Sequence, residues 1–250
     1  RSGDYVFRTS FMGEVQGRAG AKLVGEMMGK KRVSVITLAN DFGKSLEAGF
    51  KEKAGEYGIE ILGEYDYSIK DREFGPIVSK VKAESPDAIY ASGYFFTAGP
   101  LVTQLREAGV TAPVIGQEGY DGEMFIKIAG DAAEGVIITT SLDRDSNDPL
   151  AQAFITGFQA KSGYPADMVS ASTHTAVLVL AEALKQVDPN DKAALRQAIA
   201  STSINAATGN ISFNKLGEVK KSVQVQVVRD GGWHHYAVIS DPVLLAPPEE

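Results

Sequence analysis

Residues 32–58, RVSVITLANDFGKSLEAGFKEKAGEYG, hold the signals that decide the fold. The β-branched run Arg32–Leu38 predicts a buried strand, and a polar break at Ala39–Asp41 follows it. Apolar residues recurring on one face predict a helix from about Gly43 to Glu56, which Gly58 is suited to close. A strand that leads through a polar break into a helix is half of a βαβ unit.

The same alternation extends in both directions along the chain. A helix is predicted over Val15–Met28, before the first strand. Beyond it the pattern predicts strands at Ile59–Tyr65, Ala88–Ala91, Pro113–Ile115 and Gly135–Thr139, with helices between them at Phe74–Ala83, Ala98–Ala108 and Glu123–Ile128. Such alternation predicts an α/β fold in which helices cover both faces of a mostly parallel sheet.

The second half of the chain departs from this alternation. Ser141–Pro149 (SLDRDSNDP) predicts a polar linker. Three helices without intervening strands are then predicted at Leu150–Lys161, Met168–Lys185 and Lys192–Ala200. A short strand at Ile211–Phe213 follows, and then a β-hairpin formed by Val223–Arg229 and Trp233–Ile239 around Asp230–Gly232.

Composition narrows the possible functions. With 44% hydrophobic and 23% charged residues the chain is typical of a core-forming globular protein, and no stretch reaches the roughly 18 apolar residues of a membrane helix. A net charge of −7 argues against nucleic acid as a partner. Without cysteine there is no thiolate ligand or thiol nucleophile. His234 and His235 are adjacent in a predicted strand and are expected on opposite faces, so a histidine metal site is disfavoured, and no metal or cofactor is expected.

Gly43-Lys44-Ser45 has the sequence context of a phosphate-binding loop, because it follows a strand and opens a helix. Such a loop needs a further glycine five residues before Gly43, and Leu38 stands there instead. Nucleotide binding at this turn is therefore not expected.

Three loops at the carboxyl ends of predicted strands carry the candidate site: Asn40–Gly43, Ser92–Phe96 and Gly116–Tyr120. Ligands of open parallel sheets bind beyond these strand ends, and loop aromatics or a carboxylate beside glycine suit a pocket wall. The candidate ligand-binding residues are Glu118, Tyr94, Phe42, Gly93, Phe95 and Gly119.

Each side chain taken alone also has a structural explanation. Phe42 could staple the following helix, Tyr94–Phe96 could cover the end of the sheet, and Glu118 could interact with a helix dipole. The alternation places all three loops on one edge of the sheet, which favours a shared cleft.

These residues, in this order, resemble the type I periplasmic solute-binding proteins, in particular the branch that binds leucine, isoleucine and valine. The resemblance runs over the whole chain and is carried by GDYVFRT (3–9), KRV (31–33), DFG (41–43), SGY (92–94), GQEG (116–119) and GDAAEG (130–135). It implies two flavodoxin-like or Rossmann-like lobes with mostly parallel sheets, joined by three crossovers and closing around a ligand.

The resemblance also implies roles for single residues. Glu118 matches the carboxylate that takes the ammonium of an amino-acid ligand, and Tyr94 matches a tyrosine of the cleft. Phe42 stands where many members have tyrosine, so one hydroxyl is lost. His174 falls where an aromatic residue is common on a long helix.

The resemblance implies a division into lobes. Residues 1–8 match the first crossover between the lobes, 9–140 plus 225–250 match lobe 2, and 141–224 match the C-terminal part of lobe 1. In the family, on the order of 100 residues at roughly 30 per βα unit precede the first crossover. Lobe 1 is therefore expected to be incomplete in this chain, and the missing N-terminal segment or another copy is expected to cover apolar residues such as Val177, Leu180 and Leu184.

The implied function is that of a solute-binding component of an ABC transporter, not an enzyme. It would bind a small amino acid, branched-chain or related, by hinge closure and deliver it to a permease of the inner membrane. Its location would be the periplasm, or the outer surface of a Gram-positive cell through an anchor. The alternatives are a ligand-sensing domain of the same fold and, from another class, a flavodoxin-like enzyme.

Overall fold

The computed structural model describes residues 3–249, so residues 1 and 2 of the expected first crossover and residue 250 lie outside the described part. The strands are β1 (Arg32–Leu38), β2 (Glu60–Tyr67), β3 (Ala88–Ala91), β4 (Val114–Gly116), β5 (Ile137–Thr140), β6 (Ile204–Ala206), β7 (Gly209–Phe213), β8 (Val219–Lys220), β9 (Val223–Arg229) and β10 (Gly232–Ile239). The helices are α1 (Gly13–Lys22), α2 (Asp41–Ala54), α3 (Gly75–Glu84), α4 (Phe95–Glu107), α5 (Glu123–Ala129), α6 (Pro149–Ser162), α7 (Met168–Leu184) and α8 (Lys192–Ala200). The predicted α/β alternation is confirmed.

The main sheet has seven strands in the order β10-β9-β5-β4-β3-β1-β2. Strands β1 to β5 run parallel, whereas β9 pairs antiparallel with both β5 and β10. The predicted hairpin is confirmed, and its turn residues Asp230 and Gly231 have φ values of 50° and 73°. Positive φ at both central residues is typical of a tight turn that matches strand twist.

The core lies on both faces of this sheet. In β1, Val33 and Val35 belong to the apolar cluster on one face, and Ile36 and Leu38 belong to the cluster on the other. Alternate residues of a strand point to opposite faces, so a strand buried on both sides is apolar nearly throughout. The β-branched run at residues 32–38 is therefore central because helices cover both of its faces.

Helices α1 and α2 approach each other through glycine. A Cβ atom at Gly17 would lie 2.2 Å from the carbonyl oxygen of Leu46, and one at Gly49 would lie 2.1 Å from that of Glu14. Neither glycine has a positive φ, so space rather than backbone conformation requires it. These contacts hold α2, and with it the turn that carries Phe42, against α1.

We expect Gly49→Ala to destabilise the protein by about 1–3 kcal/mol, because the added methyl group meets rigid backbone of the neighbouring helix. Urea unfolding measures the change. Gly157→Ala in α6 is the matched control: nothing lies within 4 Å of a Cβ there, and alanine should stabilise the helix by roughly 0.5–1 kcal/mol. An unchanged midpoint for Gly49→Ala would contradict the close approach of the two helices.

The second part of the molecule contains α6, α7 and α8 and a small antiparallel sheet in the order β6-β7-β8. The three consecutive helices are confirmed, but the sequence predicted only β7 of the small sheet. On α7 the apolar residues Val177, Leu180 and Leu184 are exposed. No helix within residues 3–249 combines the length and apolar character that crossing a membrane requires.

Three connecting segments, residues 3–12, 141–148 and 221–222, link or bridge the two parts. In the first segment, Arg8 forms an isolated bridge with Glu218, just before β8, and Thr9 Oγ1 donates to the carbonyl of Ser172 at 3.2 Å. Strand β9 of the main sheet begins at Val223, two residues before the predicted boundary at 225.

Candidate functional site

The three predicted loops meet at one edge of the main sheet. Gln117 Nε2 donates to the carbonyl oxygen of Gly93 at 3.1 Å, which joins the ends of β3 and β4. The ring of Phe42, at the end of β1, stacks on that of Tyr94 with centroids 5.2 Å apart. The expectation that these strand ends lie close together is confirmed.

Phe42, Tyr94 and Phe96 form an aromatic column along this edge. Their rings are nearly parallel, with a centroid distance of 5.7 Å between Tyr94 and Phe96, and all three are half-buried. The guanidinium of Arg72 lies 5.3 Å from the centre of the Phe96 ring, a cation–π distance. The aromatic column is a stacked, partly exposed surface suited to contact with an apolar group.

Two of the candidate aromatics lie in helices, not in loops. Phe42 is in the first turn of α2, and Phe95 opens α4, which begins three residues before the predicted start at Ala98. The earlier start follows from Thr97, whose Oγ1 donates to the carbonyl of Tyr94 at 2.9 Å and fixes the first turn. The Phe95 ring packs against the hydrophobic core, so its contact with a ligand stays a prediction.

The two candidate glycines are required by close packing. A Cβ at Gly93 would lie 1.9 Å from the hydroxyl of Tyr67, and one at Gly119 would lie 2.0 Å from the carbonyl oxygen of Gly93. The Tyr67 hydroxyl itself donates to the carbonyl of Ser92 at 2.7 Å. Packing alone accounts for both glycines, and their contact with a ligand remains a prediction.

Glu118 follows β4 in a short turn, Glu118–Tyr120, and its side chain is half-buried. Ser141 Oγ donates to Glu118 Oε1, and Lys221 Nζ donates to Ser141 Oγ at 2.8 Å. We call these three side chains the Glu118 network. Its members come from the ends of β4 and β5 and from the segment before β9.

Burial governs the electrostatics of the Glu118 network. It raises the pKa of Glu118, while the charge of Lys221 and hydrogen bonds from Ser141 and Gln16 oppose this rise. Burial also lowers the pKa of Lys221 to about 8, with Glu118 acting in the opposite direction. Since burial disfavours the charged form of this carboxyl, an ammonium group placed beside it would stabilise the carboxylate.

The sequence interpretation missed Ser141 and Lys221. Ser141 directly follows β5, so the rule that pointed to the other strand ends also covers it. Lys221 has no local signal, because it is brought to the site by the return of the chain from the small sheet.

Asp121 joins the site to the linker and to α7. Its carboxylate pairs with Arg144 at 2.5 Å, accepts from Thr140 Oγ1 at 2.6 Å and accepts from the backbone N–H of Met168 at 3.1 Å. The Asp121 side chain is 1% exposed. One buried carboxylate therefore holds the end of β5, the linker and the start of α7.

The histidines lie away from this site. His174 is exposed on α7 with its ring centroid 4.9 Å from that of Phe154. His234 Nδ1 lies 3.1 Å from Asp145 and His235 Nδ1 lies 2.8 Å from Asp143, so both rings reach the same linker. His234 and His235 pair in register with the consecutive residues Val227 and Gln226 of β9, and the register shift comes only after His235, so the expected alternation of the two side chains stays a prediction.

Comparison with known proteins agrees with this architecture. The profile of a protein family described as periplasmic binding protein matches residues 2–232. A leucine-, isoleucine-, valine-, threonine- and alanine-binding protein of Pseudomonas aeruginosa is 27% identical over 86% of this chain. The match covers 57% of that relative, so the chain spans less than three fifths of its length.

Solved structures show the same fold. A leucine-binding protein of Thermotoga maritima superposes with a TM-score of 0.89 at 29% identity, covering 96% of this chain and 69% of the other. A branched-chain amino acid transporter substrate-binding protein of Streptococcus pneumoniae, in complex with isoleucine, gives 0.86 at 25% identity and covers 94% and 68%.

Proposed function

We propose, because this chain belongs to the periplasmic binding protein family, that it binds a small amino acid of the branched-chain type beside Glu118. The observation that carries the proposal is this half-buried carboxylate at the carboxyl end of β4. An α-ammonium group is a cation with three donors, which suits a carboxylate whose burial favours a charged partner.

The aromatic column gives the ligand its apolar contact. The stacked rings of Phe42 and Tyr94 lie at the end of β1 and β3, on the same sheet edge as Glu118. An aliphatic side chain held against these rings would leave the ammonium free to reach the carboxylate. The names of the similar proteins support this ligand class, and they are names of binding proteins rather than of enzymes.

Closure around the ligand would be a hinge motion. We assign residues 9–140 plus 225–250 to one lobe and 141–224 to the other, with residues 1–8 as a crossover. The connecting segments 3–12, 141–148 and 221–222 support this division, because a few residues at element ends can absorb the change in backbone angles. A ligand that binds the closed form more tightly shifts the population toward it.

The same proposal includes a partner and a location. As the binding component of an ABC transporter, the protein would act outside the cytoplasm and present its closed, ligand-bound form to a permease in the membrane. The Streptococcus pneumoniae protein described above is a substrate-binding protein of a branched-chain amino acid transporter, and this supports the proposal.

The proposal is tested by thermal unfolding with leucine, isoleucine and valine. A ligand that binds only the folded state stabilises it by about 2.7 kcal/mol at 100 times its Kd, so at least one of the three should raise the midpoint. N-acetyl-leucine is the matched control ligand, because it keeps the side chain and carboxylate but lacks the ammonium. Equal stabilisation by leucine and N-acetyl-leucine would contradict recognition of an ammonium group by Glu118.

A further inference from the structure

The Glu118 network contains a buried cation that the proposed function does not use. Lys221 is 8% exposed and lies in the segment between β8 and β9. Its ammonium hydrogen-bonds to Ser141 at 2.8 Å and lies 4.6 Å from the centre of the Phe11 ring. Within residues 3–249, no carboxylate forms a salt bridge with this ammonium. A buried charge whose direct contacts, among the described residues, are a hydroxyl and an aromatic ring calls for an explanation.

The chemistry of Ser141 fixes the direction of hydrogen-bond donation in the Glu118 network. A hydroxyl has one proton to donate, and an ammonium group can only donate. While Lys221 is charged, Ser141 must therefore accept from it and direct its own proton to Glu118, as in the structure. Ser141 is fully buried, so water does not compete for this arrangement.

We propose that Lys221 is a positioning residue for Glu118, the side chain that would pair with the ammonium of the ligand. Lys221 keeps the Glu118 carboxylate ionised and oriented through Ser141. The proposal rests on the proposed function of Glu118 and deepens it. The lysine comes from a connecting segment, so the same contact ties the ligand site to the return of the chain from the small sheet.

Few other charges act on this pair. Asp121 is the further charged group that bears on Glu118, and its own carboxylate is paired with Arg144. Gln16 also reaches Glu118 but carries no charge. Glu118 is in turn the charged group that acts on Lys221. Removing the lysine charge therefore changes the titration of Glu118 with little interference from other groups.

The first test measures the pKa of the Glu118 carboxyl in the absence of any ligand. This side-chain carboxyl is followed by carbon-13 NMR during a pH titration, and the signal is assigned by its loss in Glu118→Gln. We expect Lys221→Gln and Lys221→Met to raise the pKa of Glu118 by about one unit or more, because the opposing positive charge is gone. Lys221→Arg should restore the wild-type titration. Lys220→Met, at the exposed neighbouring lysine, is the matched control and should change nothing.

The second test is the pH profile of leucine binding. Lys221→Gln should weaken binding about tenfold near pH 5, where the proton competes with the ligand for Glu118, and less than about twofold near pH 8. A merely structural role would weaken binding equally at both pH values, and that result would overturn the proposal. The proposal also fails if Glu118 titrates identically in the wild type and in Lys221→Gln.

The two tests separate this inference from the proposed function. If the wild type binds no amino acid, the proposed function fails, while the carboxyl titration still decides whether Lys221 controls Glu118. If the wild type binds leucine but the pKa of Glu118 is the same in the wild type and in Lys221→Gln, only the present inference fails.

Discussion

Glu118→Gln is expected to weaken binding of leucine by about 10- to 150-fold at neutral pH. The substitution keeps the size and the acceptor oxygen but removes the charge, and a hydrogen bond to a charged group contributes about 1.5–3 kcal/mol. Isothermal titration calorimetry of the folded variant measures the change. The loss should appear mainly as a faster dissociation, because the substitution removes a short-range contact of the bound state.

The matched control is Glu123→Gln, which removes the same charge from an exposed position in α5 and leaves the candidate site residues unchanged. It should bind leucine as the wild type does. Unaltered leucine affinity in Glu118→Gln would remove the main argument for an amino-acid ligand, since the aromatic column alone does not select an ammonium. N-acetyl-leucine serves as a second check, because any weak binding of it should be insensitive to both substitutions.

The fold could be predicted where local pattern and burial agree. The run at residues 32–38 is apolar because helices cover both faces of β1. The hairpin turn could be predicted because Asp230 and Gly231 are residue types that adopt positive φ. The small sheet was harder, because β6 has three residues and β8 has two, which is too short for an alternating pattern to identify a strand. Helix starts depend on single side chains, as Thr97 does for α4.

The candidate site was predictable to the extent that it follows from the order of strands. Parallel strands bring their carboxyl ends to one edge, and this alone places Phe42, Tyr94 and Glu118 together. The glycines beside them are weaker evidence for a ligand site, because close packing against the Tyr67 hydroxyl already explains why residue 93 is glycine. Lys221 reaches Ser141 across 80 residues of chain, and no spacing in the sequence encodes that contact.

Asp121→Ala is expected to destabilise the protein by about 3–5 kcal/mol, because it removes one partner of a buried ion pair and leaves the other uncompensated. The side chains of Asp121 and Arg144 are 1% and 15% exposed, so water cannot replace the lost carboxylate fully. The hydroxyl of Thr140 and the N–H of Met168 lose the same acceptor. Urea unfolding at neutral pH measures the change through the midpoint at constant slope.

Two further variants test whether the loss of stability in Asp121→Ala comes from leaving Arg144 unpaired. Asp145→Ala in the same linker removes an exposed contact with the histidines and should cost less than about 1 kcal/mol. The double variant Asp121→Ala with Arg144→Met should recover part of the loss, because no charge is then left unpaired. A single variant as stable as the wild type would mean that the linker and α7 are held by other contacts. If the loss is as large as expected, Asp121 is the point that fixes the linker and the start of α7 to the end of β5, because its carboxylate contacts all three.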